Sequence, residues 1–102
     1  MMNITITEEQ DRLIVALRGD LDNTASSQAE KELSPVFQRD DCDIVIDCRE
    51  LEYISSSGLR ILLNIYKHTR INGRRAIIRQ MSDYVDEVMR TGGFLQLYEM
   101  EK

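Results

Sequence analysis

The stretch Asp43-Ile44-Val45-Ile46-Asp47-Cys48-Arg49-Glu50-Leu51-Glu52-Tyr53-Ile54-Ser55-Ser56-Ser57-Gly58-Leu59-Arg60 decides how the chain folds. Ile44 to Ile46 are β-branched and lack polar alternation, the pattern of a strand covered on both faces in a parallel sheet. Residues 44 to 47 are therefore expected at the centre of the sheet. Arg49 to Tyr53 reads as a connection with Leu51 tucked inward. Ser55 to Gly58 is a small-residue turn, and one of its hydroxyls is expected to cap the helix that follows. That helix runs from about Ser57 to Ile71 and stops at Asn72-Gly73. At about 100° per residue, Leu59, Leu62, Leu63, Ile65 and Tyr66 share one broad apolar arc. Ile61 falls outside it, beside Asn64 and His68, and reads as an exposed apolar anchor or as a side chain covered by a neighbouring loop.

Working outward, Met2, Ile4 and Ile6 alternate with polar residues, which predicts a half-buried strand over 2 to 8. Glu9-Gln10-Asp11 is a hairpin turn into a second strand, Leu13 to Arg18, ended by Gly19-Asp20. Leu21 to Thr24 leads into a helix with Asn23 or Thr24 as N-cap. Its apolar positions are Ala25, Ala29, Leu33 and Phe37, and Pro35 is expected to kink or loosen its last turn. Beyond the central stretch, Ala76 to Ile78 is a short strand. Ser82 caps a third helix through Tyr84, Val85, Val88 and Met89, which stops at Gly92-Gly93. Leu95, Leu97 and Tyr98 suggest a last strand before a charged tail. The order β-β-α-β-α-β-α-β implies an α/β fold: a mixed sheet packed with helices, with right-handed parallel crossovers after an antiparallel hairpin.

The chain has 102 residues, enough for one domain over 1–102. Hydrophobic residues make up 42% and charged residues 30%, too apolar a mixture for disorder. No apolar run approaches the roughly 20 residues of a membrane span, and residues 1 to 7 lack a signal-peptide pattern. No membrane insertion and a cytoplasmic location are therefore expected. A net charge of −5 argues against direct nucleic-acid binding through a broad basic surface. Cys42 and Cys48 on one strand would lie about 20 Å apart, whereas a disulfide tolerates at most about 7 Å, so both are expected as free thiols.

Most catalytic constellations fail. The single histidine, His68, follows Ser56 by 12 residues on the same predicted helix, about 18 Å away. That excludes a triad and leaves His68 a solvated helix residue. No Walker or dinucleotide loop is present, no zinc spacing occurs, and no cofactor or metal is expected. Asp20 and Asp22 read as solvated loop carboxylates. Arg70, Arg74, Arg75 and Arg79 read either as solvated charges or as a site for a phosphate or an acidic partner. At the serine turn two readings stand. The hydroxyls cap a helix, or one of them is an exposed phosphorylation site, where a phosphate gains from the helix dipole and free N–H groups.

Leu51-Glu52-Tyr53-Ile54-Ser55-Ser56-Ser57-Gly58-Leu59-Arg60 resembles the signature of STAS domains, specifically the stand-alone bacterial anti-sigma factor antagonists. Gly19-Asp20-Leu21-Asp22 resembles the family's Gly-x-Leu-Asp element at the end of the second strand. Thr91-Gly92-Gly93-Phe94 resembles the turn after its last major helix. The resemblance covers essentially the whole chain. It implies a non-enzymatic partner that binds an anti-sigma factor, commonly a serine kinase of the GHKL ATPase type, and so releases a sigma factor. The kinase phosphorylates the antagonist and switches it off; a serine phosphatase restores it. By position the acceptor matches Ser56, with Ser55 and Ser57 as its competitors, and Asp22 matches the family's acidic residue beside it. Where the family often has Asp, this chain has Ser55. Partner contacts are expected at Asp22, Asn23, Thr24, Ser55, Ser57, Gly58, Arg60, Ile61 and Asn64. The alternative is a constitutive STAS assembly module, for example of a transport complex, without phosphorylation.

Overall fold

The run Ile44 to Ile46 lies in strand β3 (Asp43–Ile54), the middle strand of a five-stranded sheet. In the computed structural model residues 2–101 are described. Before β3 come β1 (Met2–Glu9), β2 (Arg12–Leu21), helix α1 (Asn23–Glu32) and the single turn α2 (Ser34–Phe37). After it come α3 (Ser56–Ile71), β4 (Ala76–Arg79), α4 (Asp83–Thr91), a 3-10 turn over Phe94–Gln96, and β5 (Glu99–Glu101). The strands lie in chain order, β1-β2-β3-β4-β5. Only β1 and β2 are antiparallel. Gln10 and Asp11 join them with φ of 53° and 65°, the left-handed backbone of a two-residue hairpin loop.

Because each parallel crossover advances the sheet by one strand with the same hand, the helices collect on one face. There Val15, Leu17, Ile44, Ile46, Cys48 and Ile78 meet Ala29, Leu33, Ile61, Leu62, Ile65, Val85 and Met89 in one core. The expectation of cover on both faces of β3 is met differently on the second face. Ile14, Val45 and Ile77 form a separate buried stripe there, and Val45 has no exposure. Among the described residues no helix packs over it. Its neighbours two residues along the strands are charged and paired across the sheet: Arg79 with Asp47 at 3.3 Å, Arg12 with Glu101 at 2.9 Å. Long arginine stems cover apolar surface, and the Arg79 head is itself largely covered, its Nε buried without a hydrogen-bond partner. Arg74 pairs with Asp43 and Arg75 with Glu99, while Arg70 donates to the Tyr66 hydroxyl. Separate partners thus hold the four arginines, which do not converge on a common anion site.

Several boundaries differ from the sequence reading. Both β2 and β3 run further than expected: after a register shift between Ala16 and Arg18 come Arg18↔Glu50 and Gly19↔Leu51, and after a second between Gly19 and Asp20 come Asp20↔Tyr53 and Leu21↔Ile54. Gly19 takes φ 91° there, which glycine adopts without strain. Arg49 to Tyr53 is thus strand, not connection, although Leu51 is buried as expected. Pro35 does more than kink: α1 stops at Glu32 and α2 restarts with Pro35 in its first turn, where its missing N–H costs nothing. The last strand is the charged segment itself, and Leu95 lies in the 3-10 turn instead. Tyr98 is buried, its hydroxyl donating to the Leu62 carbonyl at 2.5 Å. His68 is not a free surface residue. Its Nε2 donates to the Arg39 carbonyl at 2.6 Å, and its ring meets Phe37 edge-on at 5.4 Å. Cys42 and Cys48 are both free and buried. No helix among the described residues is long and apolar enough to cross a membrane.

Candidate functional site at the serine turn

The carboxyl ends of β2 and β3 lie side by side, and each feeds a helix. Ser55 N donates to the Leu21 carbonyl at 2.9 Å, which ties the two junctions together. At the first, the strand extends to Leu21, so the N-cap falls on Asp22 instead of Asn23 or Thr24. Its carboxylate accepts from Ala25 N at 2.8 Å, a charge at the positive end of α1. Asn23 and Thr24 become the exposed first residues of that helix. At the second junction Ser55 is the N-cap of α3, its hydroxyl accepting from Gly58 N at 3.2 Å.

The three serines have different environments. Ser55 is buried, Ser57 is half-buried and Ser56 is exposed. Ser57 Oγ sits at the hub of a polar cluster: 2.6 Å from Asn23 Oδ1, 2.9 Å from Ser26 Oγ and 3.0 Å from Ser55 Oγ. Ser26 Oγ also donates to the Asp22 carbonyl at 2.8 Å. These are four contacts. When Ser57 donates to Asn23, the three hydroxyls supply only three protons; turning the Asn23 amide so that Nδ2 faces Ser57 supplies a fourth. The cluster latches the α1 start onto the α3 start. Its bonds use Ser55 and Ser57 and leave Ser56 Oγ out.

The remaining expected contact residues divide. Arg60 and Asn64 are exposed on α3. Gly58 is buried, and a Cβ there would lie 2.8 Å from Leu21 Cγ and 2.9 Å from Ile54 Cγ1. Its part is close packing of α3 onto the two strand ends. Ile61 is no exposed anchor: only 2% of it is accessible. It lies in the core and floors a shallow cleft with Glu30, Phe37 and Asn64. A wheel drawn for α3 alone misses this, because α1 and α2 widen its buried arc on that flank. On the other flank, which the sequence reading left out, a groove between α3 and α4 is lined by Leu59, Tyr84 and Val88. Two tyrosines exposed near that groove were the available signal. Among the described residues no three His, Cys, Asp or Glu side chains cluster as metal ligands.

The family model for the STAS domain matches residues 3–102. BtrV of Bordetella bronchiseptica, named as an anti-sigma factor antagonist, is 30% identical over 97 residues, 95% of this chain and 84% of the relative. The anti-sigma F factor antagonist of Paenibacillus polymyxa is 29% identical over 99 residues, 94% of this chain and 85% of that one. Among solved structures, the anti-sigma factor antagonist SpoIIAA in its unphosphorylated form superposes with a TM-score of 0.81 at 20% identity, covering 98% of this chain and 89% of that one. The phosphorylated form of SpoIIAA from Bacillus gives 0.74 at 18% identity, covering 98% and 92%.

Proposed function

The chain belongs to the STAS domain family, and from that premise we propose that it is an anti-sigma factor antagonist switched by phosphorylation of Ser56. Its partner is an anti-sigma factor of the GHKL ATPase kinase type, and a serine phosphatase reverses the mark. The antagonist is a substrate and a ligand, not an enzyme. The names of the two relatives support the general role, and SpoIIAA, which shares the fold, exists in both phosphorylation states. The observation that carries the site is local. Of the three serines, only Ser56 is exposed, and the bonds of the turn engage the other two. A phosphate on Ser56 enters the first turn of α3 without breaking the cap or the latch. It brings about −1.5 to −2 charges to a surface shared with Asp22, Asn23, Thr24, Arg60 and Asn64. The fold tolerates that charge; a partner docked over it does not.

The test is incubation with purified candidate anti-sigma kinases of the same organism and ATP, followed by mapping of the phosphate by mass spectrometry. Wild type is expected to be labelled on Ser56, and Ser56→Ala to stay unlabelled while still binding the kinase. Ser56→Asp is expected to bind at least tenfold more weakly, since a mismatched charge in an interface costs about 2 kcal/mol or more. Labelling of Ser56→Ala on Ser55 or Ser57 would move the switch. Binding without labelling of any form would make the chain a constitutive assembly module, in which the turn serves only as a cap.

A further inference from the structure

The groove between α3 and α4 opens one helical turn from Ser56. Leu59 lines it from α3; Tyr84, Glu87, Val88, Thr91 and Gly92 line it from α4, around about 490 Å³. Tyr84 stacks on Tyr53 with ring centroids 6.2 Å apart and planes 17° apart. The two tyrosines remain 44% and 43% exposed despite the stacking. Leu59 follows Ser56 by three residues, about 4.5 Å along the axis and about 60° round it. A protein covering the Ser56 hydroxyl therefore reaches Leu59. The rim is acidic at Glu87, which lines the groove and is exposed. Asp86 is neutralised by Arg90 at 3.1 Å, whereas Glu87 enters none of the ion pairs among the described residues.

Resting on the antagonist reading, we propose that this groove is the apolar anchor point of the anti-sigma interface: it takes a large apolar side chain of the anti-sigma factor, flanked there by lysine or arginine. Continuity with Ser56 assigns the occupant to the protein that Ser56 controls. The unneutralised rim selects basic flanks, and exposed tyrosines beside an apolar floor are the usual make-up of an interface hot spot. The opposite flank of α3 offers less: Ile61 is buried, and its one exposed aromatic, Phe37, is packed edge-on against His68 with no second ring beside it.

Calorimetry with the anti-sigma kinase that labels wild type tests the proposal. Tyr84→Ala is expected to weaken binding at least tenfold, with Tyr84→Phe close to wild type. Glu87→Lys is expected to weaken it severalfold and to flatten its dependence on salt, while Thr5→Lys on the far side of the sheet changes neither. Should Tyr84→Ala fail to fold, the exposed Glu87→Lys decides. If both groove variants bind like wild type while Ser56→Asp is weakened, the groove is no part of the interface and the antagonist reading stands. If wild type binds no anti-sigma kinase, that reading falls and this inference falls with it.

Discussion

One methyl group at Gly58 tests how α3 is seated. Leu21 and Ile54, which a Cβ would strike at 2.8 Å and 2.9 Å, are core side chains with 0% and 3% exposure, so neither can swing away into solvent. Gly58→Ala is expected to lower stability by about 1–3 kcal/mol despite the better helix propensity of alanine. A denaturant melt would show it; an unchanged midpoint would mean that the strand ends yield. Cys48 gives a second expectation. Burial, with Asp47 nearby, pushes its thiol up from 9.0 to about 12. In the unfolded chain the thiol ionises first, so over this interval the folded state holds more protons and stability falls as pH rises. Buried Tyr98, also raised, adds to the alkaline fall. Cys48→Val should reduce the slope of stability against pH above about 9, read by urea titrations at several pH values. At this scale the serine turn was legible because its residue types are those of a helix start. Which serine is free was not, since that depends on Asn23 and Ser26, some thirty residues away.

Among the elements, the β1–β2 hairpin carries an avoidable cost. Gln10 and Asp11 hold φ of 53° and 65°, a region that glycine and asparagine suit best, aspartate tolerates and glutamine resists. The double substitution Gln10→Asn, Asp11→Gly suits the same loop and is expected to raise stability by about 1 kcal/mol, seen as a higher melting temperature with unchanged circular dichroism. Strand β3 shows where sequence reading loses an element. Its first half, between β2 and β4, is buried on both sides and advertises itself as Ile44-Val45-Ile46. Its second half has lost β4 as a neighbour and pairs with β2 alone. One side of it is wet, so Arg49, Glu50, Glu52 and Tyr53 read as a loop. The last strand was expected a few residues early, at Leu95 to Tyr98, for the same reason: at the edge of the sheet, Glu99 and Met100 of β5 are exposed.

For the molecule as a whole, stability rests on one core on one side of the sheet. Ile46 has no exposure and lies at its centre. Ile46→Asp buries an unpaired charge at a cost of several kcal/mol, comparable to the whole stability of a small domain. Loss of the cooperative thermal transition is expected; a melting temperature near that of wild type would contradict the placement. The half-buried ion pairs over the other face contribute less, since the desolvation of both partners offsets much of their attraction.

The strand order has a consequence for synthesis. Because every strand pairs with its neighbours in sequence, no strand has to be threaded between two that are already joined. The nascent chain can close its hairpin first and then add β3, β4 and β5 at a single growing edge, each stage leaving the earlier pairs undisturbed. The Tyr98 hydroxyl, which reaches back to the Leu62 carbonyl, emerges just ahead of β5 and clasps that final strand's approach to a helix already assembled behind it.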